Sequence, residues 1–324
     1  MNKAITFLLL TGILFSFPSS AIAQSIQSQE LQEIKAAHSS SEALLSAAKI
    51  EYQKDNYEKV VNLCTEAIGA NANNIDAFYY RGVARLELGI AKPSLFTEEL
   101  LESINIDLLR IMKLDPLNSE VYFYHGRANY FYTRLKLNPS SLLSVSTGIN
   151  QDIDIRPLLD SISSLKKYLK VSGEVEKEAY LYLADAMIYN RQDETEVNQY
   201  LDIYGSNVNI TKNANFYLLK GLSGLKYQYI RSLENQDNQT LNNQIGNFSN
   251  VISIDPNNEY GYFFRAYAYI QLNDIQSAIN DYSQVIKLKP NFELAYRERA
   301  RIFKSIGDNE SATMDERKAD IFSP

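Results

Sequence analysis

The sequence has few of the residues that build disulfides and metal sites. It holds one cysteine and two histidines in 324 residues. A single cysteine, Cys64, excludes a disulfide within the chain, and two histidines are too few for a metal site built on histidine ligands. We therefore expect no metal and no cofactor, and a fold that is held together by side-chain packing.

Positive charge is also in short supply. The chain has 32 lysines and arginines against 39 aspartates and glutamates, which gives a net charge of −7. An acidic chain matches the phosphate backbone poorly, so we expect no nucleic-acid partner. The sequence also lacks a glycine-rich phosphate loop and a recognisable pairing of nucleophile and base. We therefore expect no enzymatic activity and assign no catalytic residue.

The N-terminal segment, residues 1–23, has the pattern of a secretion signal. Lys3 precedes an apolar run over residues 4–17, Pro18 ends the run, and Ala21-Ile22-Ala23 has the small-x-small form of a signal-peptidase site. The run is short for a membrane span. We expect cleavage before Gln24 and an extracytoplasmic protein that is periplasmic, secreted or associated with the cell surface. An uncleaved anchor is the alternative.

The rest of the chain repeats itself. Pro256 and Pro290 stand at equivalent places one period apart, and residues 259–290 align with residues 293–320. Residues 41–74 form a complete copy with the same period. Each copy has two apolar patterns at helical spacing, separated by turn-forming residues such as Asn273-Asp274. A fixed period of this kind is typical of a repeat protein made of helix pairs.

The copies resemble the tetratricopeptide repeat (TPR), a helix–turn–helix of about 34 residues. That family has a small residue at position 8, where the two helices cross, and a large one at position 4. The position-8 residues here are Ala48, Gly82, Gly126, Ala184, Gly221, Ala266 and Ala300. Six of the seven position-4 residues are aromatic: Phe78, Tyr122, Tyr180, Tyr217, Tyr262 and Tyr296, with Leu44 in the first copy.

The resemblance implies an all-α fold, a right-handed α-solenoid of about six to seven TPR repeats that is irregular in the middle. Residues 1–23 are then the signal peptide, 24–40 a helical lead-in, 41–320 the array and 321–324 a tail. Repeats 1 to 7 are expected at about 41–74, 75–116, 117–171, 175–208, 213–256, 259–290 and 293–320. The segments 136–156 and 232–243 are interpreted as long loops.

A second pattern links the two helices of a repeat. Where position 7 is arginine, position 23 is aspartate, which predicts three ion pairs: Arg81–Asp107, Arg265–Asp281 and Arg299–Asp315. Where position 7 is not arginine, as at Ala47 and Lys220, position 23 is not aspartate either. We interpret the pairs as structural bridges; a row of ligand-binding arginines is the alternative.

The family's concave surface is lined by the first helices of the repeats. By resemblance, the partner-binding residues are those at positions 2, 5, 9, 12 and 13: Tyr79, Phe123, Arg127, Tyr130, Phe131, Phe263, Tyr267, Arg297 and Arg301. Tyrosine and arginine are favoured at binding hot spots, so this set fits a protein or peptide partner. The lysine and asparagine set with which some family members clamp a terminal carboxylate is not seen here.

The sequence leaves three functions open. The first is a non-catalytic scaffold of the cell envelope that binds a protein or peptide in the groove, without being an integral membrane protein after signal cleavage. The second is a module that binds glycan or cell wall through groove tyrosines. The third is an enzyme whose site is hidden in the irregular middle, around residues 136–156.

Overall fold

The computed structural model describes residues 21–136, 154–172, 175–190, 192, 194–224 and 238–323. Fourteen α-helices, one short 3-10 helix (Pro93–Leu95) and no strand are found in these residues. The helices are α1 Ala21–Tyr52, α2 Tyr57–Ala70, α3 Ile75–Ala91, α4 Glu98–Leu114, α5 Ser119–Lys136, α6 Arg156–Val171, α7 Glu178–Tyr189, α8 Glu194–Asn207, α9 Ala214–Ser223, α10 Asn238–Ile254, α11 Glu259–Gln271, α12 Ile275–Leu288, α13 Glu293–Ser305 and α14 Asn309–Phe322. The predicted all-α fold is confirmed.

The chain divides into two compact units, and the first ends at Ala84. In it α1 packs on α2 around a small core that includes Ala48, Val60 and Cys64. Cys64 is fully buried and holds the place of an apolar core residue. The predicted lead-in is the first part of α1. The predicted signal peptide lies, up to residue 20, outside the described residues.

The second compact unit begins at Arg85 and contains the remaining helix pairs. Each first helix packs on its own second helix: α5 on α6, α7 on α8, α9 on α10, α11 on α12 and α13 on α14. Each second helix also contacts the first helix of the next repeat, and α5, α7, α9 and α11 contact one another in that order. One apolar core therefore runs through successive repeats, since no single pair buries its own apolar side.

The turns within three repeats share one backbone conformation. Asp55, Asn273 and Gly307 have positive φ angles of 56°, 60° and 83°. This left-handed region is accessible to glycine and is tolerated by aspartate and asparagine better than by other residues. In two of these repeats the next residue caps the second helix, since Asp274 and Asp308 accept hydrogen bonds from the backbone N–H of Ser277 and Ser311, whereas Asn56 makes no such side-chain hydrogen bond. The short polar breaks in the sequence therefore set where each second helix begins.

The small position-8 residues lie at close helix crossings, as expected. Ala48, Ala184 and Ala266 are completely buried. A Cβ added to Gly126 would be 2.7 Å from Cγ of Leu165, and one added to Gly221 would be 2.3 Å from Cε1 of Phe248. The side chains opposite these glycines come closer than a methyl group permits.

Two of the three predicted ion pairs are present. Arg265 donates from Nε and Nη2 to the carboxylate of Asp281, both at 2.8 Å, and Arg299 donates in the same way to Asp315. The two arginines are about one-fifth exposed, and the two aspartates less than one-tenth. These pairs are structural bridges between the helices of one repeat. Arg81 and Asp107 lie in different compact units, and their pairing stays a prediction.

Each bridging arginine also reaches back to the preceding repeat. Nη1 of Arg265 donates to Oγ of Ser249 at 3.0 Å, and Nη1 of Arg299 donates to Oγ of Ser283 at 2.8 Å. Both hydroxyls belong to the preceding second helix, α10 for Ser249 and α12 for Ser283. We call each arginine with its aspartate and its hydroxyl a brace, since it ties three helices together.

The braces predict a coupled effect of mutation on stability. Arg265→Ala and Asp281→Ala are each expected to cost about 1–3 kcal/mol, because each leaves a largely buried partner without its hydrogen bonds. The double variant is expected to lose less than the sum by about 1 kcal/mol. Urea unfolding of the four proteins measures the coupling. The Lys220–Asp202 pair, in which Asp202 is 70% exposed, is the control and should be additive. Additivity at Arg265–Asp281 would rule out the bridge.

Repeat 3 replaces the charged brace by a neutral pair. His125 takes the place of the arginine, is 5% exposed, and its Nδ1 is 2.8 Å from Oγ of Ser164. Asn129 contacts the other ring nitrogen of His125 at 3.4 Å. Burial lowers the pKa of His125 to about 4, and the charge of Asp160 opposes this shift only in part. His125 is therefore neutral in the folded protein near pH 7.

His125 makes stability fall in mild acid. Its folded pKa lies below the ordinary value of 6.5, so the unfolded chain binds a proton first as the pH decreases. The contribution of His125 to the free energy of unfolding is complete above pH 6.5 and decreases toward pH 4. The loss is about 2 kcal/mol by pH 5. Urea unfolding at pH 7.5 and pH 5 should show that His125→Asn has a flatter dependence than the wild type. Equal slopes would contradict this role.

The loop predicted at 232–243 is wrong in its second half. Residues 238–243 belong to α10, and residues 232–237 lie outside the described residues. Leu241, Phe248 and Val251 are 2%, 0% and 0% exposed and form the buried apolar side of α10. Burial of one side therefore outweighs the weak helix propensity of the asparagine-rich sequence. Most of the other predicted loop, 136–156, also lies outside the described residues.

Candidate partner-binding face

The first helices of the second compact unit present a set of side chains at or next to the predicted binding positions. We call this set the first-helix face and define it by the residues that are not fully buried: Glu87, Arg127, Phe131, Tyr182, Tyr267, Arg297, Glu298 and Arg301. They belong to α3, α5, α7, α11 and α13. Contacts between successive first helices, from α5 to α11, place most of these helices in one row.

Three of the nine predicted site residues are core residues. Phe123, Tyr130 and Phe263 are 9%, 6% and 1% exposed. The ring of Phe263 packs against Phe292 at 5.2 Å and Tyr282 at 5.4 Å between ring centroids. A ring enclosed to this degree holds neighbouring helices together and offers almost no surface to a partner.

The other six predicted residues keep accessible surface. Arg127, Phe131, Tyr267 and Arg297 are half-buried, and Arg301 is exposed. Tyr79 is also half-buried but lies in the first compact unit, where its ring packs edge-on against Tyr80. Contact of any of these residues with a partner stays a prediction.

Aromatic rings form the middle of the first-helix face. Phe131 lies 5.4 Å from Tyr182 between ring centroids, and Tyr182 lies 4.9 Å from Tyr130. Tyr130 and Phe131 are adjacent on α5, and Tyr182 comes from α7. Rings at these distances attract one another beyond their burial, so they join two repeats and leave the half-buried Phe131 and Tyr182 at the surface.

Arg127 is held within the chain. Its guanidinium makes a two-pronged contact with the carboxylate of Glu87 on α3, with Nη2 at 3.4 Å from Oε2. It also lies 5.5 Å from the centroid of the Phe131 ring. Both Arg127 and Glu87 are 19% exposed. The predicted ligand-binding arginine is thus the charged half of a pair that connects α3 to α5.

A fully buried carboxylate lies beneath the aromatic cluster. Asp185 is 1% exposed, accepts a hydrogen bond of 2.5 Å from the Tyr130 hydroxyl, and is 3.2 Å from Nε of Arg134. Arg134 also donates to the Tyr189 hydroxyl and lies over that ring at 4.7 Å. Burial and the charge of Asp185 raise the pKa of Tyr130 well above its ordinary value. The network therefore holds one negative and one positive charge and two neutral phenols.

In the C-terminal part of the face, as at Arg127, the arginines are paired with carboxylates of the same chain. Arg301 contacts the carboxylate of Glu298, and Arg297 contacts that of Glu293. Burial raises the pKa of Glu298, although Arg301 acts in the opposite direction. Burial raises the pKa of Tyr267, on α11, and the nearby negative charge of Glu298 raises it further. Here too, the predicted site arginines already have carboxylate partners within the chain.

Two features of the described residues bear on other kinds of site. Within the part of the chain that the structure describes, no three histidine, cysteine, aspartate or glutamate side chains are grouped so that they could hold a metal ion. None of the described helices has both the length and the apolar character that crossing a lipid bilayer requires. The enzymatic alternative depended mainly on residues 136–156, most of which lie outside the described residues.

Comparison with known families and structures agrees with the repeat. A family model described as a TPR repeat matches residues 266–307, which include the end of α11 and all of α12 and α13. The match confirms the predicted TPR repeat over these residues, and the other described helix pairs follow the same helix–turn–helix order. TPR repeats are typical of non-catalytic scaffolds that bind other proteins. No curated protein matches the chain in sequence.

Solved structures similar to the chain include those of MamA. One crystal structure of MamA aligns at 17% identity over 55% of this chain and 91% of that chain, with a TM-score of 0.42. MamA from Desulfovibrio magneticus RS-1 aligns at 13% identity over 60% of this chain and 94% of that chain, also with a TM-score of 0.42. Similarity at this level carries no information about the partner of this chain.

Sequence reasoning did not find four residues of the site. Glu87, Tyr182, Asp185 and Glu298 all lie on first helices and contact the residues that it did find. Asp185 is at position 9 of its repeat, the same position as Arg127, Tyr267 and Arg301. Its repeat position alone could therefore have identified it as a candidate. Tyr182 and Glu298 are at position 6, outside the family's usual set.

Proposed function

We propose that the chain is a non-catalytic scaffold of the cell envelope that binds a protein or peptide partner through the first-helix face. The observation that carries the proposal is the contact between the half-buried rings of Phe131 and Tyr182, with a further half-buried ring, Tyr267, on α11. Rings fixed by their neighbours lose little conformational entropy on binding, which is why such residues are favoured at the centres of interfaces.

The N-terminal sequence supports the envelope part of the proposal. The apolar run over residues 4–17 and Ala21-Ile22-Ala23 are what a secretion signal requires. If the signal is cleaved as proposed, the intact mass of the protein from an envelope fraction corresponds to a chain that begins at Gln24. A mass that retains residues 1–23 would instead favour the uncleaved anchor.

The test of function is capture from an envelope fraction with the purified chain as bait. We expect the double variant Tyr182→Ala, Tyr267→Ala to lose the partner that the wild type retains. Tyr200→Ala is the matched control, since Tyr200 is a half-buried tyrosine on the second helix α8. Circular dichroism first establishes that all three proteins are equally folded. Equal capture by all of them would refute the proposed site.

Glycan binding is the second candidate, and the same tyrosines favour it, because half-buried rings can also stack on sugars. It predicts that purified cell-wall material or a glycan array binds the wild type and that Tyr267→Ala abolishes binding. Capture of a protein with no retention of glycan would exclude it.

A further inference from the structure

The first helices of the second compact unit carry many charges, and almost all of them are compensated within the chain. Between the first turn and the last residue of each described first helix, every charged side chain has an ion-pair partner. The pairs are Arg85–Asp107, Arg127–Glu87, Arg134–Asp185, Lys220–Asp202, Arg265–Asp281, Arg297–Glu293, Arg299–Asp315, Arg301–Glu298 and Lys304–Glu316.

Many of these charges are also well shielded from water, whereas Arg297, Arg301 and Lys304 are 38%, 44% and 54% exposed. On the first helices, the side chains of Arg85, Glu87, Arg127, Asp185 and Glu298 are between 1% and 21% exposed. A pair with so little exposure is screened weakly by salt. If a partner's charged group were to replace one member of such a pair, the displaced charge would lose its counterion, and that is strongly unfavourable in a buried site.

Three aromatic side chains of the first-helix face keep accessible surface beside these pairs. Phe131, Tyr182 and Tyr267 are half-buried on α5, α7 and α11. Phenol and phenyl rings contribute apolar area, and a phenol also donates or accepts one hydrogen bond. These are interactions with apolar side chains and with the peptide backbone, and they need no opposite charge on the partner.

We propose that the first-helix face binds a peptide segment of low charge, rich in aromatic, aliphatic or proline side chains. This inference rests on the proposed function and specifies its partner. The charge balance of the face determines this choice of partner. The charged side chains of the face already have counterions within the chain, so the face fits a peptide that carries no charged side chains. The net negative charge of the whole chain acts at longer range and affects the rate of encounter more than the stability of the complex.

The test uses a phage library of random peptides selected on the immobilised chain. Peptides that bind the wild type but not Tyr182→Ala, Tyr267→Ala are sequenced and synthesised, and Tyr200→Ala again serves as the matched control. We expect these peptides to be depleted in lysine, arginine, aspartate and glutamate relative to the starting library. Their Kd should change less than about twofold between roughly 0.1 and 1 M NaCl, since no exposed ion pair is formed.

The possible failures are distinguishable. Peptides that depend on Tyr182 and Tyr267 but carry a charged consensus, or whose Kd rises tenfold or more with salt, would overturn the inference and leave the proposed function intact. A selection that yields no peptide dependent on these tyrosines would contradict both. A glycan array screened in parallel distinguishes that second outcome from binding to sugar.

Discussion

Asp185→Ala is expected to destabilise the protein more than any other single change considered, by about 3–5 kcal/mol. Asp185 is 1% exposed and is the only carboxylate that the structure pairs with Arg134, among the described residues. Without it, the guanidinium of Arg134, which is 28% exposed, loses its counterion and keeps only the hydroxyls of Tyr189 and Tyr130 as partners among the described residues. The Tyr130 hydroxyl also loses its acceptor. Urea unfolding gives the free energy of unfolding of each protein.

Two controls separate this network from a general effect of losing a carboxylate. Asp154→Ala removes an ion pair with Arg156 in which the two side chains are 44% and 82% exposed, so the expected loss is about 0–1 kcal/mol. Replacing both Asp185 and Arg134 by apolar residues should cost less than Asp185→Ala alone, because no charge is left buried without a counterion. A small loss for Asp185→Ala would show that the carboxylate is not part of a buried pair.

Gly221→Val is expected to cost about 3 kcal/mol, near the upper end for overpacking of a core. An added Cβ would lie 2.3 Å from Cε1 and 2.5 Å from Cζ of Phe248, whose ring is completely buried. That ring also packs on Phe264 at 5.9 Å between centroids, so it cannot move without disturbing α11. Thermal and urea unfolding should both show the loss.

The matched control for Gly221 is Gly246 on the partner helix α10. A Cβ added there meets no atom within 4 Å. Gly246→Ala should therefore stabilise the protein by about 0.5–1 kcal/mol, because alanine loses less backbone entropy than glycine in a helix. If Gly221→Val and Gly246→Ala had the same sign, the close crossing of α9 and α10 would be refuted.

The sequence predicts the architecture well because repetition supplies its own comparison. The small residues at position 8 and the apolar periodicity recur in register, and each recurrence reports the same local packing. The Arg265–Asp281 and Arg299–Asp315 bridges were predictable for the same reason, since two residue types change together from copy to copy. The left-handed residues Asp55, Asn273 and Gly307 also stand at one position in the repeat.

The binding face was harder to predict, because its geometry depends on contacts between different repeats. The burial of Phe263 is caused partly by Phe292, which precedes the next first helix. Arg127 is neutralised by Glu87 of the preceding repeat, and Arg134 by Asp185 of the following repeat. Insertions of irregular length separate these partners. No fixed spacing therefore indicates that the site arginines are already paired.

The start of α10 shows a further limit of the sequence. Residues 238–243 are mostly asparagine and glutamine, and asparagine favours turns over helix when it is judged alone. The buried apolar residues Leu241, Phe248 and Val251 decide the outcome, since their tertiary contacts stabilise the helix. Which polar segment acquires such contacts depends on the neighbouring helices, and these are distant in sequence.

The most direct test of the account is site-specific photo-crosslinking of the partner in an envelope fraction. A benzoylphenylalanine is placed at Phe131, Tyr182 or Tyr267 on the first-helix face, or at the exposed Leu109 or Leu159 on second helices. The account predicts that one partner crosslinks from the first three positions and not from the other two. Crosslinking of that partner from Leu109 or Leu159, and not from the first-helix face, would contradict it.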